Sequence, residues 1–301
     1  MTASGTGAVE SMVAALVPVD GRVLIAENGV YGDRIAQICL QYSVPHEPLI
    51  GDWMQPVPAD LIEERLAAKG NAPRFTHLAA VHHETTTGRL NDLTTLTALC
   101  RKFGVGLLLD GVSSFGAEPI DFADDRIHAV AATANKCLHG IPGAAFVMVR
   151  RALLEGAASR SFYLDLKRLA RQQEARNTPF TPSVHAYYGL VEALREFEQE
   201  GGRPARYRRY LALAEQVRTG LERLGVRCLL PPAESSVVLR AYRLPERLSY
   251  PQLHDGLKQQ GFIIYAGQGA LAGSLFRIST MGALTGGDME QLLAEFARLM
   301  P

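Results

Sequence analysis

The sequence predicts an α/β fold. A mostly parallel, helix-covered sheet forms a large first domain, residues 1–195, and a small α+β domain follows over 196–301. Three observations carry this. Strand-length apolar runs alternate with helix-length amphipathic runs through the first half, the pattern of βαβ units. Runs such as Val105-Gly-Leu-Leu-Leu109 are apolar almost throughout, as in strands covered on both faces. After Val149 the character shifts to charged helices and then to short strands.

The chain has 301 residues, 47% of them hydrophobic, enough for a large core. Its 31 basic and 31 acidic residues cancel, so nothing in the charge balance points to nucleic acid or a membrane surface. Cys39, Cys100, Cys137 and Cys228 are scattered, which suits reduced thiols in a cytoplasmic protein better than a metal site or disulfide framework. No apolar stretch approaches the ~18 residues of a membrane span, and the start lacks signal-peptide character.

Ser4-Gly-Thr-Gly7 reads as a turn entering a helix over Ala8–Leu16. Such a helix start, with hydroxyls beside free N–H groups, suits an anion but serves equally as a simple cap. A strand over Arg22–Ala26 leads through the Asn28-Gly29 turn to a helix over Tyr31–Tyr42, then an extended, Pro-interrupted segment to Ile50. Pro58–Lys69 is helical, with Pro near its start and Gly70 after its end. Phe75–Val81 is a strand, Leu93–Phe103 a helix and Val105–Leu109 a buried strand ending at Asp110. Ala132–Gly143, small residues bounded by Gly and Pro, reads as a loop carrying Lys136, and an apolar run, Ala144–Val149, follows.

Arg151–Arg176 is helical in pattern, broken by Asn177-Thr-Pro-Phe-Thr-Pro182. Ser183–Gln199 and Arg203–Leu224 are long helices joined at Gly201-Gly202. Strands over Ser236–Tyr242, Gly261–Tyr265 and Leu275–Ser279 precede a closing helix, Gly287–Leu299.

In parallel sheets ligands gather beyond the carboxyl ends of the strands, and Thr85, Asp110 and Lys136 all fall there. A loop lysine able to form a Schiff base, after a strand-end carboxylate, is what pyridoxal phosphate chemistry requires. Asp110 would keep the pyridine nitrogen protonated. Ser4, Gly5 and Thr6 would hold the phosphate, Tyr31 would face the ring and Thr85 would meet its O3′ side. Singly, each residue has an ordinary role open to it: a solvated lysine, a capping aspartate, a packed tyrosine. Their joint order shifts the balance.

Six segments carry a resemblance: Ser4-Gly-Thr-Gly-Ala-Val-Glu10, Asn28-Gly-Val-Tyr-Gly-Asp-Arg34, His83-Glu-Thr-Thr-Thr-Gly88, Asp110-Gly-Val-Ser-Ser-Phe-Gly116, Ala134-Asn-Lys-Cys-Leu-His-Gly-Ile-Pro-Gly143 and Phe276-Arg-Ile278. On these the chain resembles the class V aminotransferases of the fold-type I pyridoxal phosphate superfamily, and within them the aminophosphonate branch. The resemblance implies Lys136 as Schiff-base lysine and proton shuttle, and Asp110 as partner of the pyridine nitrogen. It implies Val112 and Tyr31 on the two ring faces, and Ser4, Gly5, Thr6 and Asn135 at the phosphate. Thr181 would be lent to a neighbouring subunit, making a homodimer with shared sites. Arg277 would hold the acid group of an aminophosphonate donor or of pyruvate; a planar, permanently charged fork suits both.

Two departures stand out. Relatives carry a longer N-terminal segment that reaches the substrate pocket and dimer interface. Here Met1 stands close before Ser4, so the phosphate loop is expected on a frayed terminus. Gly7 stands where many relatives have an aromatic residue, which implies a roomier pocket wall. Another class V enzyme stays open, such as a serine or alanine–glyoxylate transaminase or a lyase on a hydroxylated aminophosphonate. So does an inactive truncated form.

Overall fold

A computed structural model describes residues 1–68, 74–246 and 248–300. In chain order the elements are α1 (Gly5–Leu16), β1 (Arg22–Glu27), α2 (Val30–Gln41), β2 (His46–Ile50), α3 (Ala59–Ala67), β3 (Phe75–Val81), β4 (His83–Glu84), β5 (Arg89–Leu90), α4 (Leu93–Phe103), β6 (Gly106–Asp110), β7 (Ile127–Thr133) and β8 (Ala145–Val149). There follow α5 (Arg151–Glu155), α6 (Leu166–Glu174), α7 (Val184–Gln199), α8 (Gly202–Arg223), β9 (Leu239–Arg243), α9 (Tyr250–Gln259), β10 (Tyr265–Ala266), β11 (Leu275–Ser279) and α10 (Gly286–Leu299).

The main sheet has the order β2-β1-β3-β6-β7-β8; all neighbours are parallel except the β7–β8 pair. Alternation along the strands divides their side chains between two cores. Val23, Ile25, Leu108, Ala129 and Ala131 face α1 and α2, while Leu24, Ala26, Leu107, Leu109 and Val130 face α3 and α4. A third core joins α8, α9 and α10 to the antiparallel sheet β10-β11-β9, with Tyr242 stacked on Phe276 at 5.5 Å. Phe276 and Phe296 are fully buried there; truncating either to Ala would cost about 3–5 kcal/mol. The proposed division at 195/196 falls inside α7, which runs unbroken to Gln199.

Several expectations are corrected. Ala132 and Thr133 belong to β7, a central strand that the sequence pattern did not reveal. The helix expected over 151–176 is two short helices, interrupted after Gly156 and restarted by Asp165, whose carboxylate accepts the Lys167 and Arg168 N–H groups. The strand expected over Gly261–Tyr265 reduces to β10, and that over Ser236–Tyr242 starts at Leu239. The β4–β5 hairpin and α9 were not anticipated. Lys69 and Gly70, the expected end and stop of α3, lie outside the described residues.

The first residues are not frayed. Met1 exchanges main-chain hydrogen bonds with Ala145 at 2.8 and 3.0 Å, Thr2 bridges Ala144, and Thr2 Oγ1 accepts the Ser183 N–H at 2.9 Å. The physical reason is that β8 is an edge strand, whose outer backbone groups take a pairing partner. At Gly7 a Cβ would stand 2.9 Å from the Ala3 Cβ, so Ala3 packs against this first turn of α1. Among the described residues no helix is long and apolar enough to cross a membrane.

Candidate active site

The carboxyl ends of β3, β6 and β7 bring the expected residues together. Asp110 closes β6, 7% exposed, and its Oδ1 accepts the Val112 N–H at 2.9 Å. Burial pushes the Asp110 carboxyl up to about 6. The Val112 hydrogen bond and the Arg34 guanidinium pull the other way, and Glu84 adds to the rise. No cation among the described residues pairs with it. Lys136, half-buried, follows β7 in a turn closed by His139 N–H on the Lys136 carbonyl at 2.9 Å and Gly140 N–H on Ala134 at 2.8 Å. Asn135 Oδ1 accepts the Thr133 hydroxyl at 2.8 Å. The Cys137 thiol beside it donates to the Ser113 carbonyl at 3.3 Å and is pushed up to about 12 by burial, so it stays protonated.

α1 begins at this edge. Ser4 caps it with extended backbone and an uncommitted hydroxyl, and the first intrahelical bond is Ala8 N–H to Ser4 at 3.2 Å. The N–H groups of Gly5, Thr6 and Gly7 precede that bond and carry the positive end of the helix dipole. A side chain at Gly5 would drive its Cβ to 2.6 Å from Val112 Cγ1, so Val112 packs directly under the turn.

Tyr31 opens α2. Its N–H and that of Gly32 donate to Glu84 Oε2 at 3.2 and 3.3 Å. The Thr86 N–H and hydroxyl donate to Oε1 at 3.0 and 2.7 Å. Four donors thus satisfy a wholly buried carboxylate at a helix N-terminus, although burial still raises its pKa. Gly29 is required here, since a Cβ would lie 2.2 Å from Glu84 Cδ.

From the small C-terminal part, Arg277 on β11 reaches across. Its Nη1 donates to the Thr85 carbonyl at 2.9 Å and to Gln268 Oε1 at 3.0 Å, and its Nε to the Ala266 carbonyl at 2.9 Å. Burial lowers its pKa from the usual guanidinium range, opposed by Tyr31, Tyr250, Glu84 and Tyr265. Among the described residues no carboxylate pairs with it. Its charge is therefore held by neutral acceptors and is open to an external anion.

Three participants were not singled out from sequence. His83 is 1% exposed, its Nδ1 lies 3.5 Å from the Ser113 carbonyl, and its Nε2 has no hydrogen-bond partner. Burial, assisted by the Lys136 charge, holds His83 down to about 4, so it is neutral near pH 7. Arg34 lies 4.6 Å over the Tyr31 ring and donates to Thr6 Oγ1 at 3.3 Å. Gln268 completes the seat of Arg277. His83 and Arg34 sit within the motif segments, next to residues that drew attention first; Gln268 carried no sequence signal.

Thr181 is not brought to this site. It is exposed and lines a cavity of ≈ 880 Å³ beside β8, with Phe146, Met148, Tyr163 and Phe180. That cavity holds none of the ionisable groups of the strand-end site.

A lysine and an unpaired buried aspartate on adjacent parallel strand ends, a helix start facing them, and a free arginine on the small part define an aminotransferase-type site. The chain matches the class-V aminotransferase family over residues 52–281 and belongs to that family. It is 36% identical over 296 residues to the 2-aminoethylphosphonate–pyruvate transaminase of Pseudomonas aeruginosa (strain PAO1), covering 97% of this chain and 79% of that relative. It is 38% identical to the same-named enzyme of Burkholderia thailandensis, again over 97% and 79%. Among solved structures it is similar to alanine–glyoxylate aminotransferase from Nostoc sp., with TM-score 0.92, 25% identity and coverage of 100% and 81%. The architecture is that of the fold-type I transferases.

Proposed function

We propose that this chain transfers the amino group of 2-aminoethylphosphonate to pyruvate, giving phosphonoacetaldehyde and L-alanine, with pyridoxal 5′-phosphate as cofactor. The observation that carries it is Arg277, a half-buried guanidinium with no carboxylate partner among the described residues, held on the Thr85 carbonyl in the loop after β3, the strand beside the one that ends at Asp110. The names of the relatives at 36 and 38% identity support the donor and acceptor.

The residues fit the cofactor. A buried carboxylate with no cation partner suits a pyridinium N–H, and a helix start whose first N–H groups precede the intrahelical bonds suits a phosphate. When bound, pyridoxal phosphate supplies an aldehyde that captures amines and a ring that withdraws electrons. Asp110 would hold the ring nitrogen, Val112 and Tyr31 the ring faces, Thr85 its O3′ side, and Ser4, Gly5, Thr6 and Asn135 the phosphate. Lys136 Nζ would take the proton from the donor's amino carbon and deliver it to the cofactor's C4′ carbon in the same half-reaction. Arg277 would hold the phosphonate in one half-reaction and the pyruvate carboxylate in the other. Thr181 is exposed beside the β8 cavity, and the resemblance would lend it to a neighbouring subunit; on that basis we read the working form as a homodimer with shared sites.

An amino-donor panel with pyruvate tests this. Alanine should form from 2-aminoethylphosphonate, and Lys136→Ala should abolish both turnover and the visible band of the bound cofactor. Reaction with serine but not with 2-aminoethylphosphonate would overturn the substrate assignment.

A further inference from the structure

Tyr210, on α8, is fully buried between the two parts of the chain. Its hydroxyl meets His139 Nε2 on one side, in the turn that carries Lys136. On the other it accepts the Gly282 N–H at 3.3 Å, in the loop leaving β11, the strand of Arg277. One turn earlier on α8, Arg206, 2% exposed, donates to the carbonyl of Cys137, the residue after Lys136, and at 3.0 Å to Glu200. Arg209 donates to the Gly282 carbonyl at 3.3 Å. One face of α8 therefore grips the lysine turn and the arginine strand together.

The directions of these bonds follow from the chemistry. A tyrosine hydroxyl has one proton to give, the Gly282 N–H fills one of its lone pairs, and His139 Nε2 is the acceptor found for that proton among the described residues, so we assign the proton to His139 Nε2. That needs a neutral His139 with its proton on Nδ1. Burial, with Arg206 and Arg209 nearby and Glu200 opposing, holds His139 down to about 4. His139 also sits at φ 64, in the left-handed region, which orients its ring toward α8 at some backbone cost.

We infer that Tyr210 is a positioning residue that couples the Lys136 turn to the Arg277 strand, keeping the proton-transferring amine and the anion anchor in register. It touches neither substrate nor cofactor. The inference rests on the proposed roles of Lys136 and Arg277, but the coupling itself can be read without any reaction.

The test is hydrogen exchange on the full chain without cofactor, comparing Tyr210→Phe and His139→Asn with the parent. Tyr210→Phe keeps the buried ring, and Asn tolerates the left-handed backbone at 139. In each variant the amides of 136–142 and of 280–284 should both exchange faster, on the order of tenfold, while β3 and β6 stay protected. His139→Asn is the decisive case, because it must loosen Gly282 without touching it. In the loaded enzyme, Tyr210→Phe should lower kcat on the order of tenfold with little change in either KM. Faster exchange confined to the mutated side, or kcat unchanged in a folded Tyr210→Phe protein, would overturn the coupling. Coupled exchange in a chain that transaminates nothing would leave the coupling standing and remove the functional reading.

Discussion

Arg277 Nη1 donates to the main-chain carbonyl of Thr85 at 2.9 Å, so the small C-terminal part delivers its cation onto the loop that follows β3. With Gln268 and Ala266 as its other acceptors, the guanidinium is fixed in direction and left without a counter-charge.

Removing that charge should act on substrate capture. For Arg277→Ala we expect KM for pyruvate and for the aminophosphonate to rise about 100-fold, ~2.7 kcal/mol of lost charge-assisted hydrogen bonding. Arg277→Lys should recover little, because an ammonium cannot make the two-pronged contact. Steady-state kinetics on both substrates decide this; unchanged KM values would remove Arg277 from the site.

Asp110 makes a prediction about the protein without cofactor. Its carboxyl is held up to about 6 by burial, against about 3.9 in an unfolded chain. Between those values the folded state holds the extra proton, so stability falls as pH rises through that window, and the cost is complete above about 6. Asp110→Asn keeps an acceptor for the Val112 N–H and removes the charge. At pH 8 the cofactor-free variant should be more stable than the parent by on the order of 2 kcal/mol, read from urea midpoints, while transamination is lost. A less stable Asn variant would mean that the carboxylate already has a compensating partner.

Acid should destabilise the chain early. His77 and His82 are pushed down to about 3, and His83 and His139 to about 4, mainly by burial. In the unfolded chain they titrate near 6.5, so the unfolded state binds more protons below that pH, and stability present above 6.5 is lost as pH falls. Four such groups give a slope of about 5 kcal/mol per pH unit near pH 5.5, at ~1.4 kcal/mol per proton. Asp110, raised to about 6, and Glu84, raised by burial, offset part of it. Urea midpoints at pH 7.5, 6.5 and 5.5 should fall steeply; a flat profile would contradict the burial of these imidazoles.

Most of the first half was legible because its strands and helices differ in length and period. Phe75–Val81, Leu93–Phe103 and Leu275–Ser279 agree residue for residue with the pattern. β7 was not, because its middle is alanine. Ala129 and Ala131 are small so that α1 can lie close on that face, and small residues carry little strand signature. The short β10 likewise takes its form from pairing with β11 rather than from its own residues.

The sequence by itself determined the α/β class, an acid at a strand end followed by a lysine in a small-residue loop, and the residue types able to bind a phosphate and an anion. Those depend on local period and on side-chain chemistry. Only the tertiary structure decided that Arg277 lies unpaired against Thr85, that Glu84 is consumed in capping α2, and that Thr181 is exposed beside the β8 cavity. It also decided that Met1 and Thr2 are held on the edge of β8, and that Tyr210 binds both sides of the cleft. Each is a contact between residues far apart in the chain. Whether a charge ends paired, capped or free depends on which neighbours the packing brings to it.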